Sequence, residues 1–583
     1  MGIATSDRTP ARSPRAPFLL SLVATAAGLA GLASAVTPAW SGRLQILSEL
    51  LSPAAPHVAD GLLVATSLGL VLLGRGLARR RHRAWQAALW LLAISCVGHL
   101  LKERDVVDAL VSAVPFFLLW WKRDDFNAAG DPHGPPRALA AFLWALAGLY
   151  AYGIAATYIH SEVRTGPSTT FADTLGNITL GFVGVDPTRH PGRFEHGLTI
   201  SLASAAIVCA AYVVWLALRP RDSAVSRHTA DRRDARRLVE RHGSDSLAYF
   251  ALRRDKSYFF NEERTAFLAY RAVGGVALVS GDPVGAPAAV PGLLADFARH
   301  SHAHAWRVAA LGVARAHLAD WHAIGLRTIY VGDEAVVHPA RFSLDGRPIR
   351  KVRQSVTRLH KAGHTARVLR ARELTVEQRR DVERVSRTWL RGQPERGFSM
   401  ALDDMHARDH GDAVFALAYD GSQKLVGFVH FVPAPASGDL SLSAMRRLHH
   451  TPNGLMEFLL CETFQWAAGR GIERISLNFN AFGDLLRSDA KLPAWERGLR
   501  FVLARADRFF QVERLLSFNR KFFPEWEPRY AAFERYSDLP LAALVLLSME
   551  SLVAWPGVLR RLWPHATPVP AAPGADSAVR SGL

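Results

Sequence analysis

The sequence predicts an α-helical membrane domain of about six transmembrane helices, followed by a cytoplasmic α/β domain of two similar modules. Three observations carry this. Apolar runs of about 20 residues recur through the first 220 positions and then stop. Positive charge alternates between the loops that join them. From about residue 231, short β-rich runs alternate with helical patterns in an order that occurs twice. At 583 residues the chain exceeds what one hydrophobic core supports, so a division is expected on length alone.

The apolar runs fall at 17–36, 58–78, 84–101, 106–121, 138–159 and 197–218, the fourth being the shortest. The first lacks a small-residue cleavage site and reads as a span rather than a leader. Arg8, Arg12 and Arg15 precede it, GRGLARRRHR follows the second run, Lys122 and Arg123 follow the fourth, and RPRDSAVSRHTADRRDARR follows the sixth. The alternate loops are nearly balanced, with Arg43 against Glu49 and then KERD at 102–105. Six spans therefore place both ends of the domain in the cytoplasm. The outward loop contains FADTLGNITLGFVGV, read as a packed loop. The spans carry no cluster of ionisable residues that would suggest an ion path.

In the second half, TAFLAYRAV and GVALVSG read as strands, followed by a helix over 291–300 and the strand WRVAALGV. ARAHLADWHAIG then forms a helix and LRTIYVG a strand. AVFALAYDG, KLVGFVHFVPA, a helix from Leu455 and ERISLNF repeat the order. The resulting map is a cytoplasmic segment 1–16, a transmembrane domain 17–218, a basic linker 219–244, a first module 245–374, a second module 375–562 and a disordered tail 563–583. LPLAALVLLSMESLVAWPGVLRRLW before the tail suits either packing on its own domain or docking at a membrane surface.

A formal net charge of +18 suits an anionic partner, lipid or nucleic acid. Its sharpest local form is IRKVRQSVTRLHKAG, 349–363: Ile349, Val352, Val356 and Leu359 share one helical face, and Arg350, Lys351, Arg353 and Arg358 stand outside it. These four are the candidate phosphate ligands for nucleic acid or an anionic lipid surface, with a plain solvated helix face as the alternative. The three cysteines show neither disulfide nor metal spacing. His300, His302 and His304 follow a helix without an acidic or cysteine partner, so they read as a surface turn and no metal is expected. GDPVGAP, 281–287, lacks the layout of a nucleotide-phosphate loop and reads as a turn. In TPNGLMEFLL, 451–460, Asn453 suits the helix N-cap, and Leu455, Phe458, Leu459 and Trp466 form its buried stripe. Glu457 in the first turn suits the helix dipole, the reading that pattern alone favours; lying beside that stripe with Arg446 and Arg447 upstream, it also suits acid–base work or ammonium binding.

SLSAMRRLHHTPNGLMEFLLCETFQWAAGRGIERISLNF resembles the C-terminal domain of the phosphatidylglycerol lysyltransferases, also called aminoacyl-phosphatidylglycerol synthases or multiple peptide resistance factors. VALVSGDPVG, DEAVV, FSLDGRPIRKVRQSV, ERGFSM and FNRKFFPEWEPRY extend the likeness over roughly 245–540. It is nearest to the actinobacterial branch in which this domain is fused to a lysyl-tRNA synthetase; here the sequence runs into the tail, so a separate synthetase is the expected partner. The resemblance implies two tandem acetyltransferase-like modules. It also implies transfer of an amino acid, lysine first among the candidates, from aminoacyl-tRNA to a glycerol hydroxyl of phosphatidylglycerol. No cofactor beyond the aminoacyl-tRNA co-substrate is implied, and the product lowers membrane charge and susceptibility to cationic antimicrobial peptides. Six spans do not suggest lipid flipping.

By the same resemblance Glu457, Arg446 and Lys521 are the catalytic candidates. Asn453, Gly454, Ser443, Arg447, Arg396 and Asn478 are expected to shape the substrate pocket. Ser443 stands where the family carries an acidic residue. That departure keeps two alternatives open: another lipid or cell-wall acceptor, or a lipid-binding membrane protein without catalysis.

Overall fold

The computed structural model describes residues 15–36, 55–103, 106–126, 134–163, 170–182, 193–217, 229–391, 397–405, 408–479 and 512–550. The chain divides into two compact units, one of residues 1–221 with 302–305 and one of the remainder.

The first unit is helical: α1 (Arg15–Val36), α2 (Ala55–Ala78), α3 (His82–Glu103), α4 (Val106–Trp121), α5 (Gly134–Val163), α6 (Phe171–Phe182) and α7 (Arg193–Ala217). Helices thus occur at all six expected positions. Among the described residues, however, only Pro136–Ile159 in α5 and His196–Val214 in α7 are both long and apolar enough to cross a bilayer. Shorter apolar stretches lie at 17–32, 66–78 and 110–121. FADTLGNITLGF is not a loop but α6, started by Thr170, whose hydroxyl accepts the Asp173 N–H at 3.2 Å while its own N–H donates to the Asp173 carboxylate at 3.3 Å. α1 and α2 pack through small residues; a Cβ on Gly28 would stand 2.7 Å from the Ser67 carbonyl oxygen.

The second unit begins with α8 (Thr229–His242), β1 (Ser257–Phe260), β2 (Ala266–Val273), β3 (Val276–Ser280) and β4 (Val284–Gly285). It continues with α9 (Val290–Ala303), β5 (Arg307–Ala314), α10 (Leu318–Ala323) and β6 (Arg327–Val337). Then come α11 (Arg350–Lys361), β7 (Thr365–Arg370), α12 (Val376–Leu390), β8 (Val414–Tyr419), β9 (Leu425–Ala434) and β10 (Asp439–Arg447). The last described elements are α13 (Leu455–Ala468), β11 (Ile475–Phe479), α14 (Val512–Asn519), β12 (Glu525–Phe533) and α15 (Leu539–Met549).

The expected repeat is present. β1–β2–β3 is an antiparallel meander, α9 crosses over, and β5 returns parallel to β3. β8–β9–β10 is the second meander, α13 crosses over, and β11 returns parallel to β10. The described strands form one mixed sheet in the order β1-β2-β3-β5-β12-β6-β11-β10-β9-β8-β7, with β4 beside β2. Its centre is an exchange. β6, the last strand of the first repeat, pairs antiparallel with β11 of the second. β12, which closes the second repeat, pairs antiparallel with β5 of the first. β6 and β12 then pair with each other from Arg327↔Phe533 to Val336↔Glu525.

Packing places residues 349–370, which the sequence map assigned to the first module, with the second. Ile349, Val352, Val356 and Leu359 of the basic helix share a core with Val429, Phe431, Phe458 and Phe464, and β7 pairs with β8. The amphipathic pattern of α11 therefore faces α13, and Gly363 ends it at φ +78°. His300 to His304 lie on or just beyond α9, where side chains two apart diverge. The His300 ring packs between Phe259 and Trp306 at 5.1 and 5.8 Å. α15 packs inward, with Val545 and Met549 against Val273, Leu278 and Phe398.

The expected cap on α13 is corrected. Gly454, not Asn453, is the N-cap, with φ +91° and no side-chain capping bond. The cause is a close helix–helix approach: a Cβ on Gly454 would stand 2.6 Å from Ser355 Cβ of α11. Asn453 contributes its backbone carbonyl, which accepts from Arg358 Nη2 at 2.6 Å. Gly454→Ala is accordingly expected to cost about 1–3 kcal/mol and Asn453→Ala less than about 0.5 kcal/mol, measured by chemical denaturation of the full chain in detergent.

Candidate active site

The candidate residues sort onto two faces of the β9–β10–β11 sheet. On one face lies α13, whose first turn carries Glu457. That carboxylate is 15% exposed and accepts from Lys521 Nζ at 2.7 Å. Two catalytic candidates separated by 64 residues in sequence are thus brought together. Gly454 and Asn453 open the same helix, and Arg358 of α11 reaches them. Arg447 belongs to this face too, since a Cβ on its strand partner Gly427 would touch both the Arg447 Cβ, at 3.2 Å, and Leu455, at 2.9 Å.

Arg446 is not with Glu457. It pairs with Phe428 on the opposite face and is buried, with Nη1 donating to the Ser386 hydroxyl of α12. The sheet backbone therefore stands between the Arg446 guanidinium and the Glu457 carboxylate.

Ser443 joins Arg446 on the α12 side through a bulge between Leu442 and Ala444 that re-aims the strand. Its hydroxyl accepts the Leu402 N–H at 3.2 Å. Here β10 and β11 part: they pair only at Leu440↔Ile475 and Ser441↔Ser476. Asn478 bridges the opening, its Nδ2 donating to Leu442 O at 3.0 Å and to Met400 O at 2.9 Å. It does so at φ +73°, a conformation that asparagine tolerates better than most side chains. An opening at the carboxyl ends of adjacent parallel strands is the usual location for a ligand in α/β folds. Arg396 lies outside the described residues.

Segment 397–405 lines this opening and is held by buried charges. Lys256 Nζ donates to Phe398 O at 2.7 Å, and Arg253 Nη1 to Ala401 O at 2.6 Å. Glu550 accepts from the Phe398 and Ser399 N–H groups at 2.8 and 3.2 Å. Burial drives the Lys256 ammonium pKa well below its ordinary value and the Glu550 carboxyl above its own. Asp255 behaves oppositely: burial pushes its carboxyl up, yet Arg253, Lys256 and Arg271 together hold it below the ordinary value.

Of the four candidate phosphate ligands, Arg350 and Lys351 are exposed on α11. Arg358 is tied to Asn453, and Arg353 Nη1 to the carbonyls of Leu344 and Gly346 at 2.5 and 3.1 Å. Two of the four thus already serve the fold. Among the described residues no group of three or more His, Cys, Asp or Glu side chains could hold a metal ion.

Residue-by-residue reading missed a buried ionic centre at the strand exchange. Arg529 of β12 donates through Nε to Glu334 of β6 at 2.8 Å, and its Nη2 lies 2.7 Å from Asp245. Asp282 stands 3.8 Å away. Ser246 Oγ and Gly312 O accept further bonds at 3.0 and 3.2 Å. Burial opposes the charge on Arg529, but the three acids hold its pKa above the ordinary value. Burial pushes Asp282 up to about 7, Asp245 adding to the effect. A cavity of about 390 Å³ opens beside this centre. Asp282 was visible only as part of a turn, GDPVG, and Arg529 and Glu334 only inside motifs without an assigned role.

Residues 236–533 match the family model described as phosphatidylglycerol lysyltransferase, C-terminal. The chain belongs to this family. It is 32% identical over 535 residues to the lysylphosphatidylglycerol biosynthesis bifunctional protein LysX of Mycolicibacterium vanbaalenii, covering 88% of this chain and 48% of that protein. It is 35% identical over 406 residues to the LysX of Mycobacterium marinum, covering 68% and 36%. The chain thus spans about half or less of the length of these relatives. The structure of L-PGS from Bacillus licheniformis aligns with a TM-score of 0.49 at 23% identity, over 55% of this chain and 96% of that one.

Arg529→Met leaves the buried Glu334 and Asp282 carboxylates without the guanidinium between them and is expected to cost about 3–5 kcal/mol in denaturation experiments. Asp282 supplies a pH test. Its folded pKa is raised from about 4 to about 7, so its favourable contribution is complete below about pH 4 and is lost as the pH rises to 7. Asp282→Asn should therefore gain stability relative to the unsubstituted protein across that window, with the difference levelling off above it, in melts at stepped pH.

Proposed function

We propose that this protein is a membrane-bound aminoacyltransferase that moves a lysyl group from lysyl-tRNA to a glycerol hydroxyl of phosphatidylglycerol. The observation that carries the reading is the family match over 236–533, which contains Ser443, Arg446, Glu457, Asn478 and Lys521 and the strands and helices that carry them. Membrane attachment has independent support. α5 and α7 are long and apolar, and Trp144 and Val208 on them are 80% and 68% exposed, a surface suited to lipid rather than water. The product would reduce the negative charge of the membrane and hence its attraction for cationic antimicrobial peptides. A lysyl-tRNA synthetase would supply the lysyl-tRNA.

In the transfer, the lipid hydroxyl oxygen attacks the ester carbonyl carbon of the aminoacyl-tRNA and gives up its proton. The resulting oxyanion collapses, the bond to the terminal ribose oxygen breaks, and that oxygen takes a proton. Arg446, buried on the same α12 side as Ser443, would steady the oxyanion, with Ser443 and Asn478 fixing the strand ends at the β10–β11 opening. Glu457 and Lys521 lie on the other face with exposed Arg350 and Lys351 nearby in the α11–α13 layer. Their role is to dock a phosphate-bearing substrate: Lys521 offers the charge and Glu457 orients it.

Expression in a host lacking aminoacylated lipids, followed by lipid mass spectrometry, tests the reaction. A phosphatidylglycerol species heavier by one lysyl residue is expected; a different amino-acid adduct would change the donor. Ser443 in place of the family's acid favours a second reading, an altered acceptor, which a new aminoacylated species other than phosphatidylglycerol would establish. The two faces separate kinetically. Arg446→Lys should lower kcat by about 100-fold or more. Glu457→Gln should act on KM, with kcat changed by less than about tenfold. The reverse pattern would move the chemistry to the α13 face.

A further inference from the structure

Segment 397–405 is gripped by charges on one side and grips the β10–β11 opening on the other. Phe398 is fully buried, and its N–H, its carbonyl and its ring each have a charged partner. The N–H donates to one oxygen of the Glu550 carboxylate at 2.8 Å, and the Ser399 N–H donates to the second at 3.2 Å. The Phe398 carbonyl accepts from Lys256 Nζ at 2.7 Å, and the same ammonium stands 3.1 Å from the ring centroid. Further along, Ala401 O accepts from Arg253 Nη1 at 2.6 Å, and Asp403 from the Arg254 N–H at 3.0 Å. Gly397 turns the chain into this grip at φ +111°, where a Cβ would stand 2.6 Å from Ala401 Cβ.

Held and holding contacts alternate along this segment. Phe398 and Ser399 are held; Met400 O accepts from Asn478 Nδ2 at 2.9 Å. Ala401 is held; the Leu402 N–H donates to Ser443 Oγ at 3.2 Å. A displacement at Phe398 therefore reaches Asn478 and Ser443 through a few peptide units. Apolar contact already seats the Phe398 ring, which packs with Val273, Leu278, Val545 and Met549. Charges withdrawn from water at the same place are expensive, and Lys256 is only 1% exposed. What they add is direction, because they fix peptide groups and not merely a ring. Glu550 closes α15 and lies beyond residues 236–533, which match the family model.

We propose that Glu550 is a positioning residue for the transfer: with Lys256 it fixes Phe398, and through Phe398 the Met400 carbonyl and Leu402 N–H that hold Asn478 and Ser443. The proposal rests on the reading of the β10–β11 opening as the reaction site. It makes a site built on the second repeat depend on one side chain of the first repeat and on another that follows both. α15 is then a working part of the site, though it supplies no reacting group.

The test compares two substitutions in the full chain in detergent. Glu550→Ala removes both peptide acceptors; Val545→Ala removes only packing from the same helix, where Val545 is fully buried. Hydrogen–deuterium exchange read by mass spectrometry reports the link itself. Glu550→Ala should speed exchange by about tenfold or more in peptides covering 397–405, 441–443 and 476–478, and Val545→Ala should leave the last two within about threefold. With lysyl-tRNA and phosphatidylglycerol in mixed micelles, Glu550→Ala should lower kcat by about 10- to 100-fold and leave KM for lysyl-tRNA within about threefold. Glu550→Gln, which keeps one carbonyl acceptor, should recover most of that loss. Val545→Ala should lower the Tm at least as far as Glu550→Ala does, with kcat within about threefold of the unsubstituted protein. Loss of kcat that tracks loss of Tm across the two variants overturns the proposal, since a structural role alone gives that pattern. So does faster exchange confined to 397–405. Faster exchange at both strand ends, with no lysylated product from the unsubstituted protein, keeps the link and removes the reaction. A lysylated product made equally with and without Glu550 keeps the reaction and removes the positioning role.

Discussion

Arg529 does for this protein what a fastener does for two overlapping panels. It sits on β12, which belongs by sequence to the second repeat and by pairing to the first, and it donates to Glu334 on β6, which crosses the other way. A guanidinium so deeply buried is tolerable only where carboxylates surround it, and three do. The arrangement fixes which strands lie side by side at the centre of the sheet. Every candidate site residue then takes its place relative to that centre: Asn478 on β11 beside β6, Ser443 and Arg446 on β10 one strand further out, Glu457 on the crossover between them.

The separation of Arg446 from Glu457 follows from strand geometry rather than from any special feature. Successive residues of β10 point to opposite faces, so neighbours such as Arg446 and Arg447 serve different layers. The bulge at Leu442–Ala444 sets which of them faces α12. Segment 397–405 then closes over that face, held at its backbone by Arg253 and Lys256 from one distant part of the chain and by Glu550 from another. Polar side chains that spend their hydrogen bonds on backbone fix a loop more firmly than apolar contact alone, because orphaned partners are costly.

Much of this was legible. The apolar face of α11, the stripe of α13, the repeated meander–helix–strand order and most strands follow from local periodicity. Three things were not. β10 reads as a motif rather than a strand, since Ser441, Ser443 and the two arginines break the apolar alternation. The cap on α13 was assigned to Asn453 because propensity favours asparagine there, whereas contact with Ser355 of another helix requires Gly454. The exchange of β6 and β12 leaves no local trace, since strand partners hundreds of residues apart share no pattern. The module boundary moved for the same reason: α11 is amphipathic wherever it docks, and only the partner face decides which module owns it.

The exchange also bears on how the molecule comes into being. Ser246 and Arg529 touch across 283 residues of sequence. As the chain leaves the ribosome, β5 and β6 therefore wait with open edges until nearly all of the second repeat has been made. Neither repeat can be released as an independent piece, and a product cut short before β12 would display two unpaired strand edges and three acids without their counter-charge. Completion of the chain is thus itself a checkpoint, and partial chains carry a surface suited to recognition by quality-control machinery.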